Sequence, residues 1–135
     1  MDVTMLLCDA AEEAGGKLYI LGGGWSVIQA PNVLAPMALA IKMSVPWDQA
    51  NEPHQILASL KTDDGEPVDA GNGPVFAQGE IEVGRPPGSK RGSPLDAPFV
   101  LRFNGLALPP GGYVWELDID GTQLAREPFR VLEGT

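Results

Sequence analysis

Apolar and polar residues alternate with a period of two along most of the chain. The cleanest run is Met37 to Trp47: Met37, Leu39, Ile41, Met43, Val45 and Trp47 share one parity, and Ala38, Ala40, Lys42 and Ser44 the other. That spacing predicts a strand with one face in a core. Pro36 and Pro46 bracket it, and pairing is expected to lapse at Pro46, which has no N–H to give a ladder. Ile56, Ala58 and Leu60, set against Gln55, Ser59 and Lys61, predict a second strand, ended by a turn at Asp63-Asp64-Gly65. Val68 is expected to open a short return strand. Val75, Ala77, Ile81 and Val83 alternate with Phe76, Gln78, Glu80 and Glu82, and Gly79 reads as a bulge within that strand.

Toward the C-terminus, Phe99, Leu101 and Phe103 oppose Val100, Arg102 and Asn104; Gly105 then breaks the parity, and Leu106 and Leu108 continue on the other phase. Pro109-Pro110-Gly111-Gly112 predicts a turn. Tyr113, Trp115, Leu117 and Ile119 alternate with Val114, Glu116, Asp118 and Asp120, and Asp120-Gly121 marks a hairpin turn. The last strand is expected from Leu124 to Leu132, with Phe129 and Val131 inward. The N-terminal third is less regular. Val3, Met5 and Leu7 alternate with Asp2 and Thr4, but Leu6 and Cys8 make the run apolar on both faces, which suits a covered, central strand. Ala10 to Gly16 reads as a turn or a single helical turn capped by glycine. Leu18 to Ile28 is apolar again, interrupted by Gly22-Gly23-Gly24.

Seven to nine short strands follow, with turn signals roughly every 8–15 residues and no long 3.6-residue stripe. The expected fold is all-β: one antiparallel β-sandwich of immunoglobulin-like type over residues 1–135, with a small barrel as the alternative. Composition agrees. The chain holds 17 Gly and 13 Pro in 135 residues, too many breakers for a long-helix protein, yet 44% of it is hydrophobic, enough for a core.

Nine Lys and Arg stand against eighteen Asp and Glu, a net charge of −9. This argues against a nucleic-acid binder, which needs cations to replace phosphate counterions, and against docking on anionic lipid. With the single cysteine Cys8, no internal disulfide forms, which points to a reducing compartment. The start Met1-Asp2-Val3 lacks a basic leader region, and no apolar stretch reaches the length of a membrane span. A cytoplasmic protein is expected, without a cofactor.

The candidate chemistry is sparse. Leu21-Gly22-Gly23-Gly24-Trp25 lacks the lysine and the following helix of a phosphate loop, so the glycines are expected to allow a bulge, a sharp bend or close packing under a large aromatic. Asp63, Asp64 and Glu66, with Glu116, Asp118 and Asp120, invite a calcium reading. The last three share one parity, however, and side chains two apart on a strand stand about 7 Å from one another, too spread to converge on one ion. His54, the lone histidine, follows Pro53 and is expected to be exposed. Cys8 is expected to be a buried filler, and no nucleophile elbow surrounds Ser26. Arg85 to Pro94 differs from the rest. It carries Arg85, Lys90 and Arg91 and no acid, in a composition that allows neither helix nor strand, so it reads as a mobile loop: a plain hairpin connection, or a recognition loop for an acidic partner or for the acidic face of a second copy. Trp25, Trp47 and Trp115 read as core or rim packing, with an exposed interface anchor as the alternative for Trp47, which stands at a strand end.

Met1-Asp2-Val3, Leu7-Cys8-Asp9-Ala10, Leu21-Gly22-Gly23-Gly24-Trp25, Leu108 to Tyr113, Leu117 to Gly121 and Pro128 to Val131 resemble an uncharacterised bacterial family of small soluble proteins, a domain of unknown function. The resemblance spans the chain, implies a bacterial cytosolic β-protein, and transfers no catalytic residue. The Pro-Gly-Gly-Tyr, Asp-Gly and Phe-x-Val pattern also resembles the last hairpin of immunoglobulin-like domains. The expected function is a non-enzymatic binding or protein-interaction module, with a protein partner or self-association. A Ca²⁺- or small-ligand-binding sandwich and an enzyme of another kind are the alternatives.

Overall fold

Asp120 and Gly121 both adopt positive φ, at 52° and 82°, and so close a two-residue hairpin between strands β8 (Gly111–Ile119) and β9 (Thr122–Leu132). The computed structural model describes residues 1–29, 36–69, 71 and 73–133, and among them the remaining strands are β1 (Asp2–Ala14), β2 (Lys17–Gly23), β3 (Val27–Gln29), β4 (Met37–Val45), β5 (Pro53–Thr62), β6 (Phe76–Glu82) and β7 (Leu95–Phe103). The one helical element among them is a 3-10 turn, Trp47–Gln49, directly after Pro46. None of the described residues forms a helix long and apolar enough to cross a membrane.

The strands form two sheets, ordered β2-β1-β4-β7 and β3-β9-β8-β5-β6. Their facing sides enclose one core. Met5 and Leu7 of β1 and Met37, Leu39, Ile41, Met43 and Val45 of β4 meet Ile56, Ala58 and Leu60 of β5 and Trp115, Leu117 and Ile119 of β8. Phe103 of the first sheet lies against Trp115 of the second, with ring centroids 4.2 Å apart. Leu106 and Leu108, on the crossing from β7 to β8, are buried in the same cluster, which explains their switch of parity. At the start of β8 the Tyr113 hydroxyl donates to the Pro109 carbonyl at 2.5 Å, anchoring the Pro-Pro-Gly-Gly corner. Phe129 and Val131 are inward, as their alternation predicts.

Several expectations need correction. Of the turn expected over Ala10 to Gly16 only the end is one, and no helical turn forms: β1 runs on to Ala14, and Gly15 and Gly16, at φ 59° and 78°, make the tight turn into β2. Two adjacent glycines supply the mirror-image turn that matches strand twist, which outweighs the helix propensity of the Ala-Glu run. Gly79 is no bulge, since the β5–β6 register is continuous through it; the irregularity lies at Leu117/Asp118 against β9. Not every pairing is antiparallel, because β3 runs parallel to β9. The return strand at Val68 reduces to single bridges, Lys61 to Pro67 and Asp69 to Pro74.

The glycine triplet ends β2. Gly22 and Gly24 take positive φ, and a side chain on Gly22 would strike the Asp9 carboxylate. A Cβ on Gly23 would lie 2.8 Å from Ile20 and 3.0 Å from Leu6. The close packing is therefore under aliphatic side chains, not an aromatic; Trp25 packs edge-on against Phe129 instead.

Candidate functional site

The segment after β6 carries the cations singled out by sequence, and it is built in two steps. At its base, Arg85 reaches back to the 3-10 turn. Its Nη2 and Nε donate to the Trp47 carbonyl at 2.6 and 3.2 Å, and its guanidinium lies 4.4 Å over the Trp47 ring. Such stacking contributes about 0.5–1 kcal/mol at an exposed site. Beyond the base, Ser89 N–H donates to Pro86 and Ser93 N–H to Lys90, two successive turns that present Lys90 and Arg91 outward. Neither makes an ion pair or side-chain hydrogen bond among the described residues.

Trp47 and Arg85 thus come together, but as partners of each other. Trp47 is half-buried, not an open anchor, because Arg85 covers one face of its ring. A shallow cleft of about 450 Å³ beside it is lined by Met1, Asp2, Ser44, Pro46, Asp48 and Pro94.

His54 is the largest correction. Rather than being exposed, it is 3% exposed, with Nδ1 2.8 Å from Asp120 Oδ2 and Nε2 2.9 Å from the Gln49 carbonyl. Asp120 Oδ1 also accepts the Gln55 N–H at 2.9 Å. The side chain therefore ties the start of β5 to the β8–β9 turn and to the end of the 3-10 turn. Both partners are acceptors, so only the imidazolium satisfies both nitrogens at once. The hydrogen bond that His54 donates to Asp120 raises the His54 pKa above its ordinary 6.5, opposed by burial, and the same bond lowers that of Asp120. With both nitrogens engaged, neither is free to take a proton from a nucleophile. Asp-Gly at a hairpin turn was visible in the sequence; its carboxylate capping a distant histidine was not.

Cys8 is fully buried, its Sγ 3.4 Å from the Ala38 carbonyl, and burial, aided by the Asp9 charge, pushes its pKa up. That is the reverse of an activated thiolate. The acidic row is dispersed. Glu116 pairs with Lys61 at 2.7 Å, Asp63 with Arg130 at 3.4 Å, and Asp120 with His54. Among the described residues no three His, Cys, Asp or Glu side chains gather where they could hold a metal ion.

No curated protein and no solved structure matches the chain. Residues 3–132 match the model of a family of unknown function, DUF6941, and the chain belongs to that family.

Proposed function

For this member of a family of unknown function, we propose a non-enzymatic protein-interaction module of the bacterial cytoplasm that presents Lys90 and Arg91 to an acidic partner. The observation that carries this reading is the construction of the loop. In a chain of net charge −9, two cations stand free on a segment whose base is held by Arg85 on Trp47. Holding the base lowers the entropy lost on docking, and two neighbouring cations attract an acidic surface more strongly than the isolated Lys17 and Arg126, likewise unpaired among the described residues, do. The lone buried Cys8 and the engaged His54 are consistent with it.

As the scaffold we propose an immunoglobulin-like sandwich. Three features support it: the N-terminal strands divided between the two sheets, the parallel pairing of β3 with the last strand, and the Tyr113 hydroxyl bound to the backbone at the β7–β8 corner.

The test is quantitative capture from native cytosol at two salt concentrations with the full chain and with Lys90→Glu/Arg91→Glu, which leaves Arg85 in place. A protein retained by the former, lost from the latter and weakened by salt is the expected result. Equal recovery by both chains would end the proposal.

A further inference from the structure

The four sheet edges are not equally protected. At the β7 edge stand Asp96, Pro98 and Arg102; β6 carries Glu80, Glu82 and Gly79; β3 is only three residues long. Charges, prolines and short length are how edge strands avoid pairing with another chain. The β2 edge has the least of these. Its seven residues, Lys-Leu-Tyr-Ile-Leu-Gly-Gly, contain one charge, Lys17, and no acid or proline. Tyr19, Ile20 and Leu21 are 57%, 41% and 72% exposed, three of the six exposed large apolar side chains among the described residues, consecutive on one edge.

The hairpin fixes which backbone groups are free. Lys17 and Ala14 flank the two-residue turn and form its hydrogen-bonded pair, so Lys17, Tyr19 and Leu21 turn their N–H and C=O toward β1. Leu18 and Ile20 turn theirs to the open side, while Gly22, at φ 61°, leaves the extended conformation. Ile20 is the middle of the exposed run Tyr19 to Leu21.

We infer that β2 pairs with β2 of a second copy of this chain, antiparallel about a two-fold axis at Ile20, joining two four-stranded sheets into one of eight strands. In this register Ile20 faces Ile20 of the partner subunit and Leu18 faces the small Gly22. Tyr19 faces Leu21, an aromatic–aliphatic cross-strand pair, and Lys17 faces Gly23, so no like charges oppose. The acids behind β2 lie on β1: Glu12 and Glu13 opposite Tyr19 and Leu18, and Asp9, whose carboxylate leans over Gly22. Three strand spacings, about 14 Å, separate the β1 backbones of the two copies, beyond the roughly 8–10 Å screening length, so Glu12 and Glu13 do not forbid the contact. The pairing also continues a cluster already present: Cys8, Ala11, Ala38 and Ala40 are buried on the outer face of this sheet, with Leu6 and Leu18 against them. Ile20, opposite Ala11 in the register, extends that apolar strip to the edge. This surface shares no residue with the loop from Arg85 to Pro94, and the two readings stand or fall separately.

The test is sedimentation equilibrium of the full chain over about 5–500 µM, the range suited to an interface near the lower size limit. A reversible monomer–dimer equilibrium is expected. Tyr19→Lys/Leu21→Lys sets two pairs of like charges face to face and should leave only monomer, with an unchanged circular dichroism spectrum. Mixing it with Tyr19→Glu/Leu21→Glu should restore a one-to-one dimer. Hydrogen exchange adds a backbone readout: the Leu18 and Ile20 amides should slow as the concentration rises, while Tyr19, bonded to β1 in either state, should not. A monomer throughout the range, or a dimer that survives the lysine pair, overturns the inference.

Discussion

The histidine latch makes a prediction whose sign and size can be worked through. In the fold His54 sits between a carboxylate and a carbonyl, both acceptors, and is satisfied only when charged. Its folded pKa is raised above the ordinary 6.5, first by the Asp120 hydrogen bond. The stabilisation is therefore complete below the unfolded value and is lost as pH rises through the folded pKa. Asp120 works in the opposite sense: its folded pKa is lowered, so its contribution is present above the unfolded carboxylate value and is lost as pH falls through the folded one. Together they give a stability maximum at mildly acid pH, with a fall on the alkaline side. A hydrogen bond to a charged group is worth about 1.5–3 kcal/mol. The Asp120 side chain is 47% exposed, so solvent screening reduces the alkaline loss to about 1 kcal/mol. For a chain of this size that is a drop of about 3–5 °C in melting temperature. The assay is urea unfolding at pH 5.5 and pH 8.5 (about one unit below the ordinary value and two above), followed by fluorescence of the buried Trp115, for the native chain and for His54→Gln. Glutamine keeps a donor but does not titrate. If His54→Gln retained the alkaline fall of the native chain, the latch would not be its source and the reasoning would fail.

Three further outcomes follow from individual contacts. Tyr113→Phe removes the hydroxyl bond to Pro109 and should lower stability by about 1 kcal/mol in denaturant titration, with its aromatic packing on Phe129 retained. Gly22→Ala meets the Asp9 carboxylate in a backbone conformation that alanine disfavours, and should cost about 1–2 kcal/mol; Gly65→Ala, at φ 85° with open space around it, should cost only the backbone part. The Cys8 thiol, buried and with its pKa raised, should react with a thiol reagent only at the rate of unfolding, so that its labelling accelerates in step with added urea.

The strands themselves were legible in the chain, because a half-buried strand must alternate and this chain alternates almost everywhere. Met37–Val45, Tyr113–Ile119 and the inward Phe129 and Val131 lie where periodicity alone puts them. Gly65 and the Asp120-Gly121 pair lie at turns, since positive φ is a local requirement that a residue type answers by itself; the turn expected at Pro109 to Gly112 is only a bend at Pro110, with Gly111 and Gly112 already in β8. Ala10 to Ala14 misled because its alanines and glutamates suit either a helix or a strand, and only a partner strand decides between them. What tertiary structure alone decided is every relation between residues distant in sequence. Periodicity is blind to the element that a strand pairs with, so the parallel β3–β9 contact and the unprotected edge of β2 had no local signal. It is equally blind to which acceptors a polar side chain meets. His54 and Asp120 are 66 positions apart and Trp47 and Arg85 are 38 apart, and it is the folding of β5 against β8, and of the loop after β6 against the 3-10 turn, that turned a lone histidine into a latch and a basic arginine into the clamp on a tryptophan.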